Sequence, residues 1–309
     1  MSSESANLPS VRLGFIFAFI TVLLWGILPI GLTLVLSTLE PSTVSWFQFS
    51  TSFIIWGVYL FRTGNFPSLR EVRTINLWLL VLVVICLVAH DLLFINGVKG
   101  TSPTVSQVVM QISTPLASIA AIAIFRERCT TLQWSGMGVL VLGLILFFNQ
   151  DIQELVDSIE QYFIGVIFLL LSASCWVVFI VLQKHLLMQV SASTLMLLLY
   201  GGTASLLTNF ALPEKVFSLN PTQIAALIFC CLSTVISYAS FAKSMEYWET
   251  SRSAAMLALV PITTAILVAL AVAISPELIP PDPITPLGII GIVLVLVGAS
   301  ATSLGSSSP

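Results

Sequence analysis

Charge is the scarcest property of this sequence. Of its 309 residues, 8% are charged and 57% are hydrophobic. An ordinary soluble domain carries roughly 25% charged residues, so this chain cannot cover its surface for water. The net charge of −3 gives no basic field with which to hold nucleic acid. Cysteine is also sparse: Cys86, Cys129, Cys175, Cys230 and Cys231 show no metal-ligand spacing, and four of them fall inside apolar segments. Neither a structural disulfide nor a metal site is expected, and small apolar packing residues are the simpler reading. The phosphate-loop pattern G-x-x-x-x-G-K-[ST] is missing, so ATP is not the direct fuel. With no nucleophile–base motif either, no cofactor and no enzyme activity are expected. The first apolar segment is too long for a cleaved signal, and no A-x-A-like site follows it.

Long apolar runs take the place of charge. Mean hydropathy is +1.05. A spanning helix needs ~20 mostly apolar residues. The spacing of the charges predicts ten such helices, near 12–36, 41–61, 76–98, 102–125, 131–149, 162–184, 191–212, 221–244, 252–275 and 284–304. A transmembrane barrel is excluded because its strands alternate apolar and polar residues, whereas these segments are apolar all round. The expected fold class is an all-α membrane protein, multi-pass in the inner cell membrane.

Orientation follows from Lys and Arg. A cytoplasmic N-terminus puts Arg12, Arg62, Arg70, Arg73, Arg126, Arg128, Lys184, Lys243 and Arg252 inside, leaving only Lys99 and Lys215 outside. That bias obeys the positive-inside rule. The segment Asp151–Glu160, with four acids and no base, falls outside, and both termini face the cytoplasm. Arg126, Glu127 and Arg128 read most simply as an inner-surface turn.

The chain also repeats itself. The run Val98–Pro115 aligns with Ser244–Pro261 at a constant offset, so that Thr104 meets Thr250, Met110 meets Met256 and Pro115 meets Pro261. Gly136 and Gly143 match Gly291 and Gly298, each pair seven residues apart, and Trp25 corresponds to Trp176. The expected halves are 1–150 and 160–309, with five helices each. Five is odd, so the second half enters the membrane from the opposite side. Two inverted five-helix repeats around a central cavity are the architecture of many secondary transporters.

The residues behind this pattern resemble a known family. Ser113-Thr-Pro115 through Ile124-Phe-Arg-Glu127, then Leu132-Gln-Trp-Ser-Gly136 and Val139-Leu-Val-Leu-Gly143, resemble the EamA domain of the drug/metabolite transporter superfamily. The Leu24-Trp25-Gly26 step is similar to that family's opening motif. The resemblance covers both halves. It implies a ten-helix permease that moves a small metabolite or amino acid by alternating access, with export the expected direction. The second half departs from the pattern: four extra residues separate Pro261 from Glu277, and Val177 follows Trp176 where a Gly is expected.

Polar groups on the apolar helices are the candidates for contact with a substrate. Thr104, Gln107, Gln111 and Thr114 form one stripe on helix 4. Ser233, Ser237, Ser240 and Ser244 form another on helix 8, beside Tyr238. Ser172, Trp176, Phe179 and Gln183 share a face of helix 6, and Trp25 lies on helix 1. Small hydroxyl residues often serve only to pack helices, whereas a glutamine in lipid needs a partner. His90 and Asp91 interrupt helix 3. A carboxylate at mid-membrane costs ~2.5–3.5 kcal/mol even on lenient scales, so the pair reads as a proton-coupling or substrate-ammonium site, or else Asp91 reaches the outer interface. Being adjacent, the two side chains point about 100° apart. Pro115 and Pro261 each remove a backbone hydrogen bond and are candidate kinks or gates. The expected partners are a small-molecule substrate, protons as coupling ion, and the lipid bilayer. A membrane-embedded enzyme or a receptor using His90 and Asp91 is the competing class.

Overall fold

The structure is a computed structural model that describes residues 8–68, 71–72, 75–125, 130–148, 159–247, 256–277 and 285–304. Arg70, Arg73, the Arg126–Arg128 turn, Cys129, Asp151–Ser158, Thr250 and Arg252 lie outside the described residues. The described residues contain no strand. Their helices are α1 (Leu8–Leu36), α2 (Pro41–Arg62), α3 (Leu77–Gly100), α4 (Pro103–Met110), α5 (Ser113–Phe125), α6 (Thr131–Phe148), α7 (Ile159–Leu187), α8 (Ala192–Leu207), α9 (Pro221–Tyr247), α10 (Val260–Ile274) and α11 (Pro286–Leu304). A short 3-10 helix, Pro213–Ser218, precedes α9.

Helix is the form that satisfies every backbone group within one apolar segment. Proline marks where several helices begin. Pro41, Pro103, Pro221 and Pro286 are the first residues of α2, α4, α9 and α11, the position where a missing N–H costs nothing. Asn76 caps α3 by accepting from the Leu79 amide at 3.1 Å. Six helices among the described residues are long and apolar enough to cross a membrane: α1, α2, α3, α6, α7 and α9. Shorter apolar helices lie at Ala192–Leu207, Val260–Ile274 and Pro286–Thr302. The chain is an all-helical, multi-pass membrane protein.

Helix 4 differs from its sequence expectation. Instead of one helix over 102–125, α4 and α5 are separated by a turn at residues 111–112. Pro115 is the cause, because it has no N–H to give the Gln111 carbonyl. That carbonyl takes a tighter bond from the Thr114 amide, at 3.0 Å. Pro261 acts in the same way near the start of α10, where residues 258–259 form a turn between helical residues 256–257 and the helix proper.

Two compact units emerge, and each draws on both halves of the sequence. The first comprises Met1–Ile27, Pro103–Ile159 and Ile236–Pro309; the second comprises Leu28–Ser102 and Glu160–Val235. Sequence halves and compact units are therefore different partitions.

In the first unit α6 packs along α11. Gly136 faces Gly298, and Gly143 faces Gly291, so the two helices run antiparallel. A methyl group on Gly143 would lie 2.6 Å from the Val295 amide nitrogen, and one on Gly136 would lie 2.7 Å from that of Thr302. These are backbone atoms that cannot step aside. Only glycine permits this approach, which replaces the missing hydrophobic drive between helices in lipid.

In the second unit α2 runs antiparallel to α8. Trp56 Nε1 donates to the Ser193 carbonyl and Trp46 Nε1 to Thr208 Oγ1, each at 3.1 Å. Its core joins Leu32 and Val35 of α1, Ile95 and Val98 of α3, and Leu227 and Cys230 of α9. At the end of the unit where Lys99 sits, its ammonium pairs with Glu40 at 3.6 Å.

Candidate functional site

Several polar side chains of the first unit are directed at its own backbone, while the buried Thr104 Oγ1 has no hydrogen-bond partner among the described residues. Gln107 Nε2 donates to the Trp25 carbonyl at 3.2 Å. Gln111 Nε2 donates to the Leu257 carbonyl at 3.5 Å. That second acceptor is the one Pro261 would have satisfied had it carried an N–H, so Gln111 covers a carbonyl freed by a proline in the other half. Thr21 donates to the Ser237 carbonyl and Thr264 to that of Gly26, at 3.3 and 3.0 Å. Trp25 lies edge-on to Tyr238 at 5.7 Å and tilts against Phe241 at 5.5 Å. Gln107, Gln111, Ser237, Pro115 and Pro261 are buried. The first unit thus gathers Trp25, Gln107, Gln111, Ser237 and Tyr238.

The second unit gathers His90, Asp91 and Trp176. Their placement begins with glycines. Gly97 and Gly100 of α3 let Gly165 of α7 approach, with a methyl on Gly100 falling 3.0 Å from the Gly165 Cα. Two turns back along α3, that closeness sets His90 against Ser172 of α7.

Three contacts there fix the imidazole. Ser172 Oγ lies 2.9 Å from His90 Nδ1 and donates to the His90 carbonyl at 2.8 Å. His90 Nδ1 also lies 3.2 Å from the Ser172 carbonyl. A carbonyl only accepts, so in the tautomer with the hydrogen on Nδ1 that nitrogen donates to Ser172, and Nε2 then carries the lone pair. The ring packs on Trp176 at 4.8 Å, and Trp176 in turn stacks on Phe179 at 5.2 Å.

Asp91 turns the other way, as its adjacency to His90 requires. Its Oδ2 accepts from Ser45 Oγ of α2. It sits eight residues, about 12 Å along the helix, inward of Lys99. That depth removes it from the surface where Lys99 and Glu40 pair. Three residues beyond Ser45, Gln48 is 2% exposed. Its Nε2 donates to Thr234 Oγ1 at 2.9 Å, while its Oε1 has no hydrogen-bond partner among the described residues. Gln183 is half-buried on α7, two turns past Trp176.

Reading the sequence singled out His90, Asp91 and Ser172 but missed Ser45 and Gln48. Their signal was present: Ser45, Gln48 and Ser52 form a polar stripe at helical spacing on α2, and all three are buried.

Apolar helices of spanning length make this a multi-pass membrane protein, and its family supplies the transport role. The chain belongs to the EamA-like transporter family, which it matches over residues 12–149 and again over 163–304. It is 31% identical over 293 residues to a Haemophilus influenzae protein named as an uncharacterized transporter, covering 95% of each chain. It is 32% identical over 295 residues to the uncharacterized inner membrane transporter YhbE of Escherichia coli strain K12, covering 95% of this chain and 92% of the relative. A solved crystal structure superposes with a TM-score of 0.67 over 94% of this chain and 97% of its own, at 15% identity. That likeness concerns the fold alone.

Proposed function

We propose that this protein is a secondary transporter that carries a small metabolite or amino acid across the inner membrane by alternating access, in the direction of export. In this reading, ten spans form two inverted five-helix repeats, 1–150 and 160–309, around a central cavity, with both termini cytoplasmic. A gradient of protons or of the substrate itself drives the cycle. Trp25, His90, Asp91, Gln107, Gln111, Trp176, Gln183, Ser237 and Tyr238 are the candidate substrate-binding residues. Pro115 and Pro261 are the candidate gates.

The observation that carries the reading is the glycine pairing between α6 and α11. Gly136 corresponds to Gly291 in the repeat, and Gly143 to Gly298, yet each glycine faces the partner's opposite member. Exchanging the halves maps this contact onto itself, as a two-fold axis would. Two equivalent halves in opposite orientation are what a carrier needs to open to either side. An enzyme or receptor has no use for that symmetry.

Counterflow tests the activity. Proteoliposomes loaded with an unlabelled metabolite extract and presented with an isotopically labelled one should accumulate label transiently above equilibrium. Topology tags tests the architecture: inserted after spans four and nine, they should report opposite compartments. A shared compartment sinks the inverted repeat.

A further inference from the structure

The second unit contains a polar site with acceptors to spare and no donors to match. Ser45 supplies the described hydrogen bond to Asp91, and it reaches Oδ2. Among the described residues the salt bridge is Lys99 to Glu40, so the Asp91 carboxylate has no cationic partner there. His90 spends Nδ1 on Ser172 and leaves Nε2 without a described partner. Gln48 adds an independent sign of the same shortage. Thr234 gives its own hydroxyl proton to the Cys230 carbonyl at 2.9 Å, so it must accept from Gln48 Nε2, which fixes the amide orientation and leaves Oε1 as the orphan. A buried acceptor without a donor is costly. His90 and Asp91 are half-buried.

We infer that this site binds a protonated primary amine, whose ammonium group donates to the Asp91 carboxylate. The inference rests on the transporter reading for its biological meaning and names the substrate class that this unit favours. The chemistry follows from what is missing. A ligand here must bring N–H donors and one positive charge, and an ammonium brings three donors with the charge. The Trp176 ring beside His90 adds an aromatic surface of the kind that attracts cations. Among the described residues no cationic side chain faces Asp91 that could hold an anion there.

The test uses full-length protein purified in detergent and three matched probes. Butylammonium carries charge and donors, butyltrimethylammonium carries charge without donors, and butyramide carries donors without charge. Calorimetric titration should give saturable binding of butylammonium, with the other two weaker by about tenfold or more. Asp91→Asn should weaken butylammonium binding by a similar factor, and Asp91→Glu should recover part of it. Equal binding of butylammonium and butyltrimethylammonium overturns the donor argument. An unchanged isotherm in Asp91→Asn overturns the site. If that variant does not fold, the probe series on the unaltered protein still decides. Counterflow confined to anionic pools, in a protein indifferent to butylammonium, overturns this inference and leaves the transporter reading intact. Butylammonium binding by a protein that supports no counterflow upholds this inference and removes the other.

Discussion

The two compact units each draw on both halves of the sequence but use their polar groups differently. In the first, Gln107, Gln111, Thr21 and Thr264 all donate to backbone carbonyls. In the second, Asp91, His90 and Gln48 keep acceptors that no described donor reaches. One unit closes its own backbone, and the other is left wanting a donor from outside. One chain thus holds a braced unit and a chemically open one.

The largest effect should come from attacking the bracing. Gly143→Leu drives a side chain into the α11 backbone and should destabilise by about 3 kcal/mol or more, read as a lower melting temperature in detergent. Gly138→Leu on the same helix is the control, because nothing lies within 4 Å of its added Cβ. It should lose nothing and could gain up to about 1 kcal/mol from helix propensity. The open side comes next. Asp91→Asn should reduce counterflow by about tenfold, whereas Ser237→Ala in the first unit should change it by about threefold or less. Equal losses would erase the contrast between the units.

Smaller effects sharpen the comparison. Gln111→Leu uncovers the Leu257 carbonyl and should cost about 1 kcal/mol of stability, seen in the melting curve. Thr21→Val and Ser172→Ala each remove one hydroxyl-to-carbonyl bond, worth about 0.6 kcal/mol.

Much of the fold could be read from charge spacing, since a span is defined by the absence of charge over a fixed length. The ends of α2, α3 and α6 fall within two residues of the expected positions. The break between α4 and α5 was visible only as a proline, because sequence does not say whether a membrane helix bends or divides there. At the candidate site, Asp91 stood out by cost alone. Its partner Ser45 did not, because a serine in an apolar helix looks the same whether it packs or donates. The Gln111 bond to Leu257 had no local signal either. It joins residues 146 positions apart, and its reason is a proline in the opposite half.

The helices also differ greatly in length, and the lipid has to accommodate that. α1 and α7 hold 29 residues each, about 43 Å at the α-helical rise. α8 holds 16 residues and α10 holds 15, about 24 and 22 Å at the same rise, against a hydrocarbon thickness of ~30 Å. An overlong helix can tilt, and around a short one such as α8 the bilayer can thin or flanking side chains can reach for the interface. Short-chain lipids should therefore host this protein more comfortably than long-chain ones, and membrane thickness itself becomes a condition of its stability.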